Sequence, residues 1–361
     1  MPQTRTLAAS LILAWAGLIA LGAQDATLAA EPPEAITKAQ AAYKAGAYGE
    51  AYSLSSGLAA EGNADAAALL ARLYLEGQGT ERNIVEGVRW YVKAAEGGNI
   101  DAQYALGLMA REGNPPLERN LETAIAWLTV AAEGGHSFAQ FELGNHYSTG
   151  EGVPKDMKRA GEWFEKAALQ GDVDAAYNMG VIYLTGLGVT KNVKTAAKWF
   201  RQSAEGGNVE SQYNLGAMYM VGIGVDQDAV EAVTWLRKAA DAGMPEAQFE
   251  LGLSAYEGDG MPRDAELAFR LFRQAAEQGH PESQFFVAAM YTEGAGVEKN
   301  SFEAYVWLVM AMENGYTHER LTEVRKGLEE TLSPEQQARA RDRARERMNS
   351  AGQLAASKLG G

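Results

Sequence analysis

The 361-residue sequence contains no cysteine. That removes disulfide bonds, a cysteine-acylated lipid anchor and the thiolate ligands of most structural zinc sites, so the core must hold by packing alone. Histidine is scarce: His136, His146, His280 and His318 include no His-Glu-x-x-His and no pair at i, i+4, and no partner carboxylate is in view for a general base. Positive charge is in deficit, with 32 basic against 47 acidic residues and a formal net charge of −15, the wrong sign for nucleic-acid phosphates. β-branched runs with period two are missing, which excludes an obvious sheet. The recurring Gly-x-Gly follows a helical pattern and precedes a loop, whereas a nucleotide fingerprint follows a strand and opens a helix, so these glycines are turn chemistry. No catalytic residue, cofactor site or metal site is expected on these grounds.

What is present is a period. Tryptophan returns nearly every thirty-six residues at Trp90, Trp127, Trp163, Trp199, Trp235 and Trp307, with Leu271 where the remaining one is due. Asn83, Asn120, Asp156, Asn192, Asp228, Asp264 and Asn300 keep the same step on one side, and Gly98, Gly135, Gly171, Gly207, Gly243, Gly279 and Gly315 on the other. A period between about 20 and 50 residues marks an array of stacked units, and such an array lengthens without a second core, so one elongated domain is expected.

Each unit reads as a helix pair. In the copy that starts at Val173, Ala175, Met179, Gly180 and Tyr183 share one face of a first helix, and Gly186-Leu187-Gly188-Val189 stops it. Asn192 then caps a second helix, which presents Ala196, Trp199, Phe200 and Ala204 at i, i+3, i+4, i+8 and ends at Gly207. His136 and His280 follow the glycine that ends a second helix, where Asn99, Asp172 and Asn208 stand in other copies, and are assigned a structural role in the turn. His146 lies inside a first helix beside Tyr147.

The run Ala139, Leu143, Gly144, Tyr147, Gly150, Gly152, Val153, Asp156, Ala160, Trp163, Ala167, Ala168 and Gly171 resembles the Sel-one-like repeat family, a branch of the tetratricopeptide-like α-solenoids. The resemblance implies an all-α fold, a right-handed α/α superhelical solenoid of antiparallel helix pairs. Seven copies cover residues 65–316. A shorter tetratricopeptide-like pair over 34–64 serves as an N-terminal cap, helices over 317–350 close the other end, and 351–361 is a flexible tail. The pattern is broken in places: Gly113 to Leu117 is one residue longer, Ala110 and Ala255 replace the tyrosine, and Ala288 replaces the glycine after Val287, which puts individual loop shapes in question. The family's cysteine-rich branch, linked to β-lactam binding, is a poor guide to a chain without cysteine.

Near the N-terminus, Arg5 precedes an uncharged stretch from Thr6 to Gln24 and small residues at Leu21-Gly22-Ala23, the pattern of a secretory signal (residues 1–23, with cleavage after Ala30 as a second option). An uncleaved anchor is the competing reading, because the stretch nearly reaches the roughly 20 residues that span a bilayer. The expected location is periplasmic, with a mature form that does not span the membrane.

Recurring positions belong to the scaffold and varying ones are open to recognition. On a helical wheel the first helix separates a face with Leu143, Gly144 and Tyr147 from one with Phe141, Glu142, Asn145 and Thr149. The second face carries an aromatic line (Tyr104, Phe141, Tyr177, Tyr213, Phe249, Phe285), expected to pack between repeats, and a varying polar line, Glu142, Asn145, Asn178, Asn214 and Glu250. By resemblance the polar line faces a groove, where its amides and carboxylates are expected to hold the backbone of an extended peptide or another envelope protein. Beyond the array, Leu321, Val324, Leu328 and Leu332 form an apolar stripe, Ser333-Pro334 starts a helix, and the segment from Arg339 to Arg347 is basic in an acidic protein. It is read first as a solvated cap, with back-docking on the array or binding to anionic envelope components as alternatives. The function expected is a non-catalytic periplasmic scaffold or adaptor for envelope signalling or polysaccharide and cell-wall machinery, as the resemblance implies. A cell-wall-active or ligand-binding variant and an assembly factor for a membrane complex are the alternatives.

Overall fold

The computed structural model describes residues 34–113 and 118–359, with side chains through residue 350. The signal segment lies outside the described residues, as does most of the lengthened loop after Gly113. Among the described residues there are helices and turns and no strand.

Contacts divide the chain inside one helix, after Asn178. The N-terminal unit holds α1 (Glu34–Lys44), α2 (Tyr48–Ala60), α3 (Ala64–Glu76), α4 (Ile84–Glu96), α5 (Ile100–Glu112), α6 (Leu121–Glu133), α7 (Ser137–Thr149), α8 (Met157–Leu169) and the first part of α9 (Val173–Thr185). The C-terminal unit holds the rest of α9 with α10 (Val193–Glu205), α11 (Val209–Val221), α12 (Ala229–Asp241), α13 (Pro245–Glu257), α14 (Ala265–Glu277), α15 (Pro281–Glu293), α16 (Ser301–Glu313), α17 (Glu319–Thr331) and α18 (Pro334–Leu359). Within each unit consecutive helices pack as antiparallel pairs.

The lengths are uniform because the stop signals are. Every helix from α3 to α16 has 13 residues, about 20 Å at 1.5 Å per residue. The side chains of Asn83, Asn120, Asn192, Asp264 and Asn300 each accept from the backbone N–H three residues on, and Asp156 and Asp228 also reach the one two residues on. Each such cap contributes about 1 kcal/mol. The same residues donate their own N–H back to the first helix, Asn83 to the Tyr74 carbonyl at 2.8 Å and Asp156 to that of Tyr147 at 2.8 Å. Asn120 and Asp264 make this bond to Ala110 and Ala255 at 2.8 and 2.7 Å, so losing the tyrosine ring leaves the turn closed: the bond uses only its backbone.

The buried faces differ from the sequence expectation in one respect. In most second helices the large side chain after the tryptophan marker is the more deeply buried of the two: Leu128, Phe164, Phe200, Leu236, Phe272 and Leu308 are all essentially inaccessible. Trp127, Trp235 and Trp307 are buried, but Trp90, Trp163 and Trp199 are half-exposed. Lys93, Lys166 and Lys238 lie over the rings of Trp90, Trp163 and Trp235 at 4.0, 3.9 and 3.7 Å, so an indole face carries an ammonium group.

At the start, Ile36, Ala39, Ala51 and Ala59 bury the α1–α2 pair, and Tyr43 donates to Glu76 of α3 at 2.8 Å. At the end, Leu321, Leu328 and Leu332 are buried, and a reciprocal cap starts α18: Gln336 N–H donates to Ser333 Oγ at 3.2 Å and Ser333 N–H to Gln336 Oε1 at 2.9 Å. The basic stretch on α18 is partly docked. Arg347 donates twice to Glu303, at 2.9 and 3.3 Å, and Arg341 to Tyr305 Oη at 3.2 Å, while Arg339, Arg343 and Arg345 stay exposed. The helix runs unbroken to Leu359, into the segment expected as a flexible tail.

Candidate partner-binding face

The fifth residue of each first helix from α5 to α15 is aromatic, and the sixth varies. The fifth position packs within and between copies. Phe141 meets Phe164 of its own pair at 5.8 Å between ring centroids, and Phe249 meets Phe272 of its own pair at 5.6 Å and Phe286 of the next at 5.5 Å. Tyr104 stacks on His136 at 4.3 Å and Phe285 on Tyr316 at 4.9 Å. These rings are wedges between layers, and their regular recurrence follows from that use.

The five polar positions have separate fates. Glu142, Asn178, Asn214 and Glu250 are the sixth residues of α7, α9, α11 and α13, and Asn145 is the ninth of α7; all five are half-buried. Glu142 is engaged by its own chain, since Arg111 of α5 donates to its carboxylate at 2.6 Å. The Asn145 carbonyl accepts from Ser148 and Thr149. No hydrogen bond among the described residues occupies the amides of Asn178 and Asn214. Among the described residues no cation lies beside Glu250, and burial pushes its carboxyl above the ordinary carboxylate range. Tyr213, on the preceding first helix, is pushed up by burial and then by Glu250 and Glu246.

One recurring position was passed over in the sequence. The fourth residues of five first helices, Gln103, Gln140, Gln212, Gln248 and Gln284, are buried, and each donates to the carbonyl of Ala95, Ala132, Ala204, Ala240 or Ala276 near the end of the preceding second helix, at 3.0–3.2 Å. Gln170, Gln278 and Asn314, at the end of the following second helix, donate to the freed oxygens of Gln140, Gln248 and Gln284 at 2.8, 2.9 and 3.0 Å. A side-chain amide thus ties three helices and satisfies a carbonyl that the helix end leaves open. The thirty-six-residue recurrence of Gln was the available signal.

His136, His280 and His318 are helix N-caps. In each, Nδ1 accepts a backbone N–H, from Ala139 at 3.2 Å, Ser283 at 3.3 Å and Arg320 at 3.2 Å. The buried His146 holds the carbonyl of Glu151 at 2.8 Å and so pins the loop after α7. For His136, burial lowers the pKa below the ordinary 6.5, against an opposing pull from Asp101. A base whose folded pKa is depressed contributes stability that is present above its unfolded pKa and lost as pH falls from about 6.5 through the folded value. Protonation also removes the acceptor that caps α7. We therefore expect His136→Asn, the residue that caps α5 and α11, to flatten the fall in thermal midpoint between about pH 7 and pH 5. A slope equal to that of the parent chain would count against this role.

Among the described residues no group of three or more His, Cys, Asp or Glu is placed to hold a metal ion, and no helix is long and apolar enough to cross a membrane. Helix pairs on a thirty-six-residue step, joined by caps and amide ties, define an α-helical repeat protein of the solenoid class. The family model for the Sel1 repeat matches residues 64–99, 100–136, 137–172, 173–208, 209–244, 245–280 and 281–316, and the chain belongs to that family. Its repeats mediate protein–protein interaction, and its members are generally non-enzymatic binding scaffolds. The solved structure of c5321, a protective antigen of uropathogenic Escherichia coli with an SLR fold, is 29% identical over 86% of this chain and 74% of that one, with a TM-score of 0.61. A Sel1 repeat protein from Oxalobacter formigenes is 28% identical over 87% of this chain and 99% of that one, with a TM-score of 0.57. No curated relative matches the chain.

Proposed function

We propose that this chain is a non-catalytic scaffold of the periplasm that binds an extended peptide or another envelope protein through sixth-position residues of its first helices, and so serves envelope signalling or the polysaccharide and cell-wall machinery. The observation that carries this reading is the contrast between neighbouring positions. The fourth, fifth and eighth residues of the first helices are consumed by the scaffold, whereas at the sixth the amides of Asn178 and Asn214 are half-buried and unengaged. Such amides offer a donor and an acceptor to a peptide backbone, which an extended segment repeats along its length. The uncharged N-terminal stretch and the likeness to a protective antigen support an exported location.

The test is cross-linking in the intact envelope with Asn178→Ala and Asn214→Ala, separately and together. The double variant is expected to recover the wild-type partner at a yield reduced about tenfold, with unfolding unchanged to within about 0.5 kcal/mol. Undiminished recovery would overturn the assignment of this face.

A further inference from the structure

The repeats carry an internal comparison. Glu142 and Glu250 occupy the same place, the sixth residue of a first helix, and each faces a tyrosine at the fifth place of the preceding first helix, Tyr104 or Tyr213. For Glu142 the twelfth residue of that preceding helix is Arg111, whose guanidinium donates to the carboxylate at 2.6 Å. For Glu250 the twelfth residue is Met220. The carboxylate and the tyrosine remain, but the cation that completes the arrangement three repeats earlier is gone. Met220 is half-buried and, like Tyr213, packs against the apolar cluster that holds Leu236 and Leu251. Its unbranched thioether is the side chain best able to move aside for an incoming group.

A half-buried carboxylate without a partner forgoes hydration for nothing within its own chain, and burial accordingly raises its pKa. From this we infer that Glu250, with Tyr213 near it, is a receptor for an arginine side chain carried on an extended segment of a partner protein, the guanidinium taking the place that Arg111 takes against Glu142. Arginine fits better than lysine because its planar fork donates to both carboxylate oxygens and stacks on a neighbouring ring. The acidity of the whole chain draws such a segment in, and the pairing with Glu250 fixes its register. This inference rests on the scaffold reading and adds to it the chemistry of one contact.

The probe is a fluorescein-labelled peptide, Gly-Ser-Gly-Arg-Gly-Ser-Gly, with a twin in which citrulline replaces arginine and so keeps the shape without the charge. Anisotropy titrations of the full chain at low salt are expected to show the arginine peptide bound about tenfold tighter than its twin. Glu250→Gln should abolish that preference. Met220→Arg should abolish it as well, because the chain then pairs its own Glu250 as Arg111 pairs Glu142. Glu231→Gln, an equal charge change at the exposed start of α12, should keep it, and all variants should unfold within a few degrees of the parent. Equal affinity for the two peptides, no binding of either, an equal loss in Glu231→Gln, or a preference that survives Met220→Arg would each overturn the proposal. The envelope cross-linking separates it from the scaffold reading: a partner recovered equally by the parent and by Glu250→Gln removes the arginine receptor and leaves the scaffold standing. Undiminished recovery by the asparagine variants removes the face assignment while the peptide preference still decides the receptor.

Discussion

Phe272→Ala is expected to destabilise the C-terminal unit by about 3–5 kcal/mol, the loss typical of a fully buried aromatic side chain. The ring is inaccessible to solvent and lies between its own pair and the next, 5.6 Å from Phe249 and 4.9 Å from Phe286 between centroids. The reason for the upper part of that range is Gly252. A Cβ at Gly252 would sit 2.7 Å from Phe272 Cε1, so the ring occupies the hollow that this glycine leaves on the first helix, and nothing on that side can collapse into the vacancy. The same geometry predicts a coupling of opposite sign. Gly252→Ala alone should destabilise by overpacking, whereas in the Phe272→Ala background it should be neutral or stabilising, since the clash is gone and alanine gains roughly 1 kcal/mol of helix propensity over glycine. Urea unfolding of the four members of the cycle, with amide exchange read over α13 to α15, checks both. A loss below about 1 kcal/mol for Phe272→Ala would contradict the packing described.

Gly260→Ala is expected to cost more than Gly279→Ala, although both glycines have positive φ. Gly279 has φ +93° with no atom near the position a Cβ would take, so its substitution carries only the left-handed backbone strain, about 1–2 kcal/mol. At Gly260, with φ +70°, a Cβ would fall 2.1 Å from the carbonyl oxygen of Ala229, the first residue of α12 in the preceding pair. Neither backbone can yield without separating the loop from its neighbour, which adds about another 1–3 kcal/mol. Since a repeat array is stabilised largely by nearest-neighbour interfaces, the damage should appear as faster amide exchange on both sides of that interface, in α12 and α13. Equal effects of the two substitutions would show that the close approach is not real.

The helix pairs were legible because their signals are local. An asparagine that caps a helix accepts from a residue two or three positions on, and a glycine that ends one adopts its own backbone angle, so Asn83, Asn192 and Gly150 declare their roles within a few residues. Period then multiplied each weak signal by the number of copies. The same copies misdirected attention where regularity and depth part company. Tryptophan is the most visible marker, yet the residue after it is the deeper one: Phe164 is buried, whereas Trp163 is half-exposed with Lys166 over its ring.

The candidate site was legible only as a position. Variation at the sixth residue singled out Glu142, Asn178, Asn214 and Glu250, but whether each is engaged depends on a residue about thirty positions earlier. Glu142 meets Arg111 and is spent on the fold, while at the corresponding place Glu250 has Met220. The buried glutamines show the same limit. Gln248 has an ordinary polar residue's sequence context, and only the placement of two second helices on either side gives its amide a carbonyl to donate to and Gln278 to accept from.

The amino-acid order alone determined the all-α class, the thirty-six-residue step, the helix ends and the seven repeats, because caps, stops and apolar stripes act across one or two turns of a single helix. Tertiary structure decided which side chains of one copy reach the next: the amide ties, the glycine at Gly260 that admits a neighbouring backbone, and the carboxylate at Glu250 left without a cation. Those contacts depend on the distance and angle between helices, which no residue encodes by itself.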